Sequence, residues 1–257
     1  MSSQGRGSAA GSAERHATAA TLRPLVSAAL LDWDGTLVDS RAALLSAWRE
    51  STSSVLGRSY PATQAEEDLV FTRPGGQIWP TLAKDRDELA ALAASFQAAY
   101  DRAAEEVRAF PRVPEVLERL RAAGVAIAVI TSKARVRFEA DARRAGIARL
   151  IDVSICAEDA DAAKPDPAPV LRALERLGAV GANSTMIGDT TVDIAAGAGA
   201  GTRTIGVAWG HGSEAALRAA GAEAIAHDPE ELCALLLADR RAQGGTPSGR
   251  RAARSAA

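Results

Sequence analysis

Short apolar runs alternate with stretches of helical period along most of the chain. Runs at 26–31, 125–130, 153–157, 185–187 and 204–208 each stop at a small or acidic residue, the pattern of strands buried on both faces. Among the later runs, apolar positions recur at helical spacing over 113–123, 134–145, 167–177, 192–198 and 213–220, which predicts amphipathic helices. Strand alternating with helix predicts an α/β fold built on a doubly wound parallel sheet.

The alternation is interrupted after the first run. Residues 41–111 are far more than one crossover needs and show several helical patterns but no convincing strand, so they predict an inserted α-helical cap subdomain. Within it, 85–107 is rich in Ala, Leu and Glu and predicts one long amphipathic helix, while Arg73-Pro74-Gly75-Gly76 predicts a loop. The core is then 22–40 with 112–239. Residues 1–21 and 240–257, small, polar and in the second case rich in Arg, predict disordered tails. The glycines at 197, 199 and 201 follow a helix and precede a strand, the reverse of a dinucleotide-binding turn, and read as a helix end and tight loop.

Composition narrows the class. A chain of 257 residues, 47% hydrophobic and 24% charged, is neither disordered nor fibrous and is long enough for a sizeable core. A net charge of -2 argues against attraction to nucleic acid. The first 21 residues resemble neither a secretory signal nor a membrane anchor. Cys156 and Cys233 both lie in apolar surroundings and predict buried thiols in a reducing, cytoplasmic setting rather than a disulfide framework.

In an open parallel sheet, ligands gather beyond the carboxyl ends of the strands. Here those positions hold Asp32 and Asp34, then Thr131 and Ser132, then Lys164-Pro165 past a loop, then Gly188-Asp189 and Asp193. Clustered carboxylates are costly unless a cation sits among them, so a hard divalent ion follows. An all-oxygen set without histidine or cysteine favours Mg2+ over zinc. His16, His211 and His227 match no ligand or base spacing and read as surface residues. Any one of these motifs alone is bland: Asp34-Gly35 makes a turn, Thr131-Ser132 a helix cap, Lys164 a solvated lysine. Only their ordered set at successive strand ends points to chemistry.

That ordered set resembles the haloacid dehalogenase superfamily, and within it the helical-cap phosphatases of the phosphoglycolate phosphatase type. The four motifs stand as Asp32-Trp33-Asp34-Gly35-Thr36-Leu37-Val38-Asp39-Ser40, Thr131-Ser132-Lys133, Lys164-Pro165 and Gly188-Asp189-Thr190-Thr191-Val192-Asp193, and the resemblance covers about 26–238. It implies that Asp32 attacks phosphorus to give an aspartyl-phosphate and that Asp34 acts as acid and then base, with its main-chain carbonyl on the metal. It further implies that Thr131 and the Ser132 amide hold a phosphoryl oxygen, that Gly35 permits close backbone approach, and that Lys164 neutralises charge. Asp189 is implied as the remaining carboxylate ligand, with Asp32, and Asp193 as a residue orienting that shell.

The expected activity is Mg2+-dependent hydrolysis of small-molecule phosphate monoesters by a monomer or homodimer, with no nucleic-acid or membrane partner. Alternatives on the same fold are a sugar-phosphate mutase and an inorganic pyrophosphatase. A phospho-acceptor receiver or a silent regulatory module is the non-enzymatic alternative, although a receiver carries its acceptor on the third strand and no long insertion. Substrate choice is expected in the cap, where Arg73 is placed to meet a carboxylate or second phosphate. Trp79 and Trp209 are candidates to line the entrance.

Overall fold

The computed structural model describes residues 26–73 and 75–241. The tail expected at 1–21 lies outside the described residues, as does Pro74. The tail expected from 240 begins inside the last helix, and its remainder from 242 also lies outside them. In chain order the strands are β1 (Ala28–Leu31), β2 (Val38–Asp39), β3 (Arg108–Ala109), β4 (Ala126–Ile130), β5 (Val153–Ile155), β6 (Ser184–Gly188), β7 (Arg203–Val207) and β8 (Ala224–Ala226). The helices are α1 (Arg41–Leu56), α2 (Gln64–Thr72), α3 (Gly75–Leu82), α4 (Arg86–Ala103), α5 (Val113–Ala122), α6 (Arg135–Arg144), α7 (Ala168–Leu177), α8 (Thr191–Gly199), α9 (Glu214–Ala219) and α10 (Pro229–Arg241).

Six strands form one parallel sheet in the order β5-β4-β1-β6-β7-β8, so β1 sits between β4 and β6. Every residue of β1 is buried, as its unbroken run Ala-Ala-Leu-Leu requires. The two-residue period of the strands sorts side chains between two layers. Ala29, Leu31, Ile127, Val129 and Ile187 face a core completed by Leu117 and Leu120 of α5, Phe138 of α6, and Leu232 and Leu236 of α10. Ala28, Leu30, Ala128, Ile130 and Met186 face the other way, onto Val170 and Leu174 of α7 and Ala196 of α8. Gly197 lets α8 lie close on the sheet, since a Cβ there would press on the side chains of Met186 and Thr204. Truncating a fully buried strand residue such as Ile127 to alanine costs about 2–5 kcal/mol.

Helices α1 to α4 form the cap. Capping fixes their starts: Thr63 and Glu66 make a reciprocal box at α2, and Asp85 accepts from the Glu88 amide at 2.8 Å at α4. An aromatic cluster of Trp48, Tyr60, Trp79 and Phe96 ties α1, α3 and α4 together. Among the described residues no helix is long and apolar enough to cross a membrane.

Three local expectations need correction. The region 41–111 does contain a strand: β3 pairs antiparallel with β2, Val38 opposite Ala109, where the chain enters and leaves the cap. The loop at 73–76 shrinks to a break at Arg73, because Gly75 and Gly76 already belong to α3. A sixth parallel strand, β8, extends the sheet beyond the five apolar runs; at three residues it is too short to stand out by pattern.

Candidate active site

Four of the six strands, β1, β4, β5 and β6, are followed by polar residues that enter one cavity of about 370 Å³ between sheet and cap, lined by Asp32, Asp34, Thr131, Ser132, Lys164, Asp189 and Asp193. Asp32 follows β1 directly, and its amide donates to the Ile187 carbonyl at 2.9 Å, so the neighbouring strand fixes its backbone. Thr131 is pinned likewise, its amide donating to the Ile155 carbonyl at 2.9 Å, and its hydroxyl oxygen accepts from the Lys133 amide at 3.1 Å. Ser132 is exposed on the cavity wall.

Lys164 is the buried hub. Its Nζ donates to Asp32 Oδ1 at 2.5 Å, Asp193 Oδ1 at 2.6 Å and the Ile130 carbonyl at 3.0 Å, so all three ammonium protons are used. Asp193 turns its other oxygen to Thr190, accepting from the amide at 3.1 Å and the hydroxyl at 2.5 Å; this box also starts α8. Asp189 is fully buried and accepts from the His211 amide at 2.7 Å and the Thr36 hydroxyl at 3.3 Å. Gly35 has φ 82°, and a Cβ there would run into the Asp189 carboxylate and the His211 ring.

One carboxylate oxygen from each of Asp32, Asp189 and Asp193 lies within 4.8 Å of the others, a group that could hold a metal ion. Burial pushes the Asp32 carboxyl up to about 7; Lys164 opposes the rise, while Asp193 and Asp34 add to it. Asp189 stands well above the usual carboxylate range, again through burial and then the charges of Asp32 and Asp193. Burial alone would lower Lys164, but Asp193 and Asp32 raise it by more, so it stays protonated. One ammonium thus faces three buried carboxyl groups. A hard divalent cation among their oxygens would reverse the cost of ionising them, and an all-oxygen donor set suits Mg2+. Asp34, expected on a metal through its main-chain carbonyl, sends its carboxylate elsewhere, to Lys133 Nζ at 3.1 Å.

Several residues of this region carry roles that the sequence reading left out. Lys133 is 6% exposed and also meets Asp141 at 2.7 Å and the Tyr100 hydroxyl at 2.5 Å. Burial pulls the Lys133 ammonium down, but Asp34, Tyr100 and Asp141 raise it by more. Asp141 carried a signal: it sits among Phe138 and Ala142 on the buried face of α6, a charge inside an apolar stripe. His211 is not a surface residue, as its spacing suggested. It lines the cavity with a buried, unpartnered Nε2, and burial pushes its imidazole down to about 4. Its flanking glycines were the available clue, because a Cβ at Gly210 or Gly212 would strike Asp189.

Arg73 and Trp79 of the cap line the cavity, Arg73 with its side chain exposed. Trp209 does not: its indole donates to the Thr36 carbonyl at 3.1 Å and its ring meets Phe110 edge-on. Arg137 of α6, unremarked in the sequence, also lines the cavity, with a buried Nε that has no hydrogen-bond partner and a guanidinium 5.9 Å from the Phe96 ring centre.

Known proteins place this arrangement. A pyrophosphatase, PpaX, of Bacillus velezensis is 32% identical over 188 residues, 72% of this chain and 84% of that protein. A structure from Thermotoga maritima, provisionally assigned as a beta-phosphoglucomutase, is 26% identical with a TM-score of 0.67 over 82% of this chain and 98% of its own. Another from Lactobacillus plantarum, provisionally assigned as a phosphoglycolate phosphatase, shares the fold at TM-score 0.73 and 23% identity over 82% of this chain and 99% of its own. The sequence profile of the Haloacid dehalogenase-like hydrolases matches residues 29–207, and this chain belongs to that family.

Proposed function

We propose that the protein is a Mg2+-dependent phosphatase that hydrolyses small-molecule phosphate monoesters through an aspartyl-phosphate on Asp32. The observation that carries this reading is the meeting of Asp32, Asp189 and Asp193 within 4.8 Å, with Lys164 bonded to two of them at the floor of the cavity. Asp32, Asp189 and the main-chain carbonyl of Asp34 would hold Mg2+, with Asp193 orienting them. When bound, the ion neutralises the carboxylates and the phosphoryl oxygens.

An Asp32 oxygen forms a bond to phosphorus as the bond from phosphorus to the leaving oxygen breaks, and Asp34 gives that oxygen its proton. Water then attacks the aspartyl-phosphate, Asp34 takes the water proton, and the bond between phosphorus and Asp32 breaks. Thr131 and the Ser132 amide hold a non-bridging oxygen, Gly35 lets the backbone approach it, and Lys164 balances the charge that builds on Asp32 and the transferring group. The substrate is a small phosphate ester, and two buried cysteines suit a reducing, cytoplasmic setting.

A second reading, inorganic pyrophosphatase, is favoured by the likeness to the Bacillus velezensis protein and by the two arginines at the cavity. Arg73 and Arg137 form no ion pair among the described residues and suit a second phosphate or a carboxylate on the leaving group. A panel of p-nitrophenyl phosphate, phosphoglycolate, a hexose phosphate and pyrophosphate with Mg2+ separates these readings. Wild type turns over at least one of them, and folded Asp32→Asn forms no phosphoryl-enzyme and turns over none. Full activity in Asp32→Asn, or in wild type stripped of divalent ions, would sink the proposal. Unchanged substrate ranking in Arg73→Ala removes Arg73 from recognition.

A further inference from the structure

Lys133 lines the cavity, yet its polar network closes on the protein itself. Its Nζ has three protons and three acceptors: Asp34 Oδ1 at 3.1 Å, Asp141 Oδ2 at 2.7 Å and the Tyr100 hydroxyl at 2.5 Å. No proton is left for a substrate oxygen. The Tyr100 hydroxyl in turn donates to Asp141 Oδ2 at 3.0 Å, and Asp141 Oδ1 accepts from Arg144 at 2.7 Å. Asp141 and the Tyr100 ring are buried, so each group needs the partner it has.

The four residues come from separate parts of the fold. Asp34 lies beyond β1, Lys133 beyond β4, Asp141 on α6, and Tyr100 on the cap helix α4. We propose that Lys133 is a positioning residue that fixes the Asp34 carboxylate through Oδ1, leaving Oδ2 to face the leaving oxygen, and that Tyr100 makes this position depend on the cap. This deepens the phosphatase reading and rests on Asp34 acting as acid and base there. Although Lys133 lines the cavity, its Nζ is spent on protein acceptors, and its effect passes through Asp34. The cap then contributes to the chemical step as well as to shielding and selection, because moving α4 away takes one of the three acceptors from Lys133.

The test is the dependence of aspartyl-phosphate formation on the leaving group. Single-turnover rates are measured with 2,4-dinitrophenyl, p-nitrophenyl and phenyl phosphate, whose phenolates need a proton to an increasing degree. Proton donation of this kind is worth about 10²–10⁴-fold. In Lys133→Met the rate with phenyl phosphate falls at least ~10-fold further than with the dinitrophenyl ester, and Tyr100→Phe shows the same divergence at smaller size. Tyr100→Phe keeps the ring and its packing, so it answers the question even where Lys133→Met fails to fold. An equal fall for all three esters, or no change in either variant, overturns the proposal. Asp34→Asn serves as the reference. If its leaving-group dependence matches wild type, the acid assignment fails and this inference with it, whereas loss of the Asp32→Asn phenotype alone would reject the phosphatase reading.

Discussion

Phe71 of the cap and His211 of the core stack face to face, their ring centroids 3.9 Å apart at 23°, with the Arg41 guanidinium 4.7 Å from the Phe71 ring centre on α1. The stack joins α2 to the loop whose amide at His211 holds Asp189. It is therefore a clasp between the cap and the carboxylate cluster. An aromatic pair of this kind contributes about 0.5–1.5 kcal/mol beyond its buried area. Phe71→Ala is expected to raise KM about 2–10-fold for any ester the enzyme hydrolyses. A KM within error of wild type would show that the stack does not hold the cap.

Gly35 offers a sharper perturbation. A methyl group there must displace the Asp189 carboxylate or the His211 ring, and the positive φ is itself unfavourable for alanine. Gly35→Ala is expected to lower kcat/KM by ~100-fold or more, the scale of an ångström-sized misplacement, while unfolding stays cooperative in urea. Retained activity would mean that the loop yields freely.

Metal removal has a stability readout independent of turnover. Binding to the folded state alone at 100 times Kd adds about 2.7 kcal/mol, which for a domain of this size raises Tm by roughly 5–10 °C. Mg2+ is expected to stabilise the chelated protein by this order in a thermal scan, and Asp189→Asn to abolish the shift. A Tm indifferent to Mg2+ in wild type would contradict the cation site.

Cys156 predicts a dependence on pH away from the active site. Burial pushes its thiol up to about 11 from an ordinary value of 9.0, with Arg135 opposing and Asp159 and Glu158 adding. Between these values the unfolded chain loses the proton and the folded one keeps it. The stability this group contributes is present below pH 9 and is lost as pH rises through 11. Urea midpoints should fall across that window in wild type and fall less in Cys156→Ala. At pH 8 the native thiol should also react with a disulfide reagent far more slowly than the unfolded chain does.

Much of this architecture was legible because the sheet is buried on both faces. A run such as Ala28 to Leu31 has no reason to be uniformly apolar unless it is central, and the acid at its end is then conspicuous. The places of Asp32, Thr131 and Asp189 beyond strand ends could be read from that logic, while their roles came from the ordered set and its resemblance. Lys133 could not. It follows Ser132 in a recognisable motif, yet its meaning depends on Asp141, eight positions on, and on Tyr100, thirty-three positions back in a different layer. The pair β2 and β3 has two residues a side, too few for any alternation to register. His211 reads as a loop histidine until the close approach of its neighbouring glycines to Asp189 is known.

The strand order also sets a timetable. β1 is made early, but its hydrogen-bonding neighbours β4 and β6 lie roughly 100 and 155 positions further on, so the middle of the sheet stays open until most of the chain exists. Lys164, which joins Asp32 to Asp193, arrives between those two strands. A nascent chain therefore carries Asp32 long before Lys164 and Asp193 can meet it, and products truncated before β6 should lack the assembled carboxylate cluster. The exposed strand edge is what such intermediates must protect from aggregation.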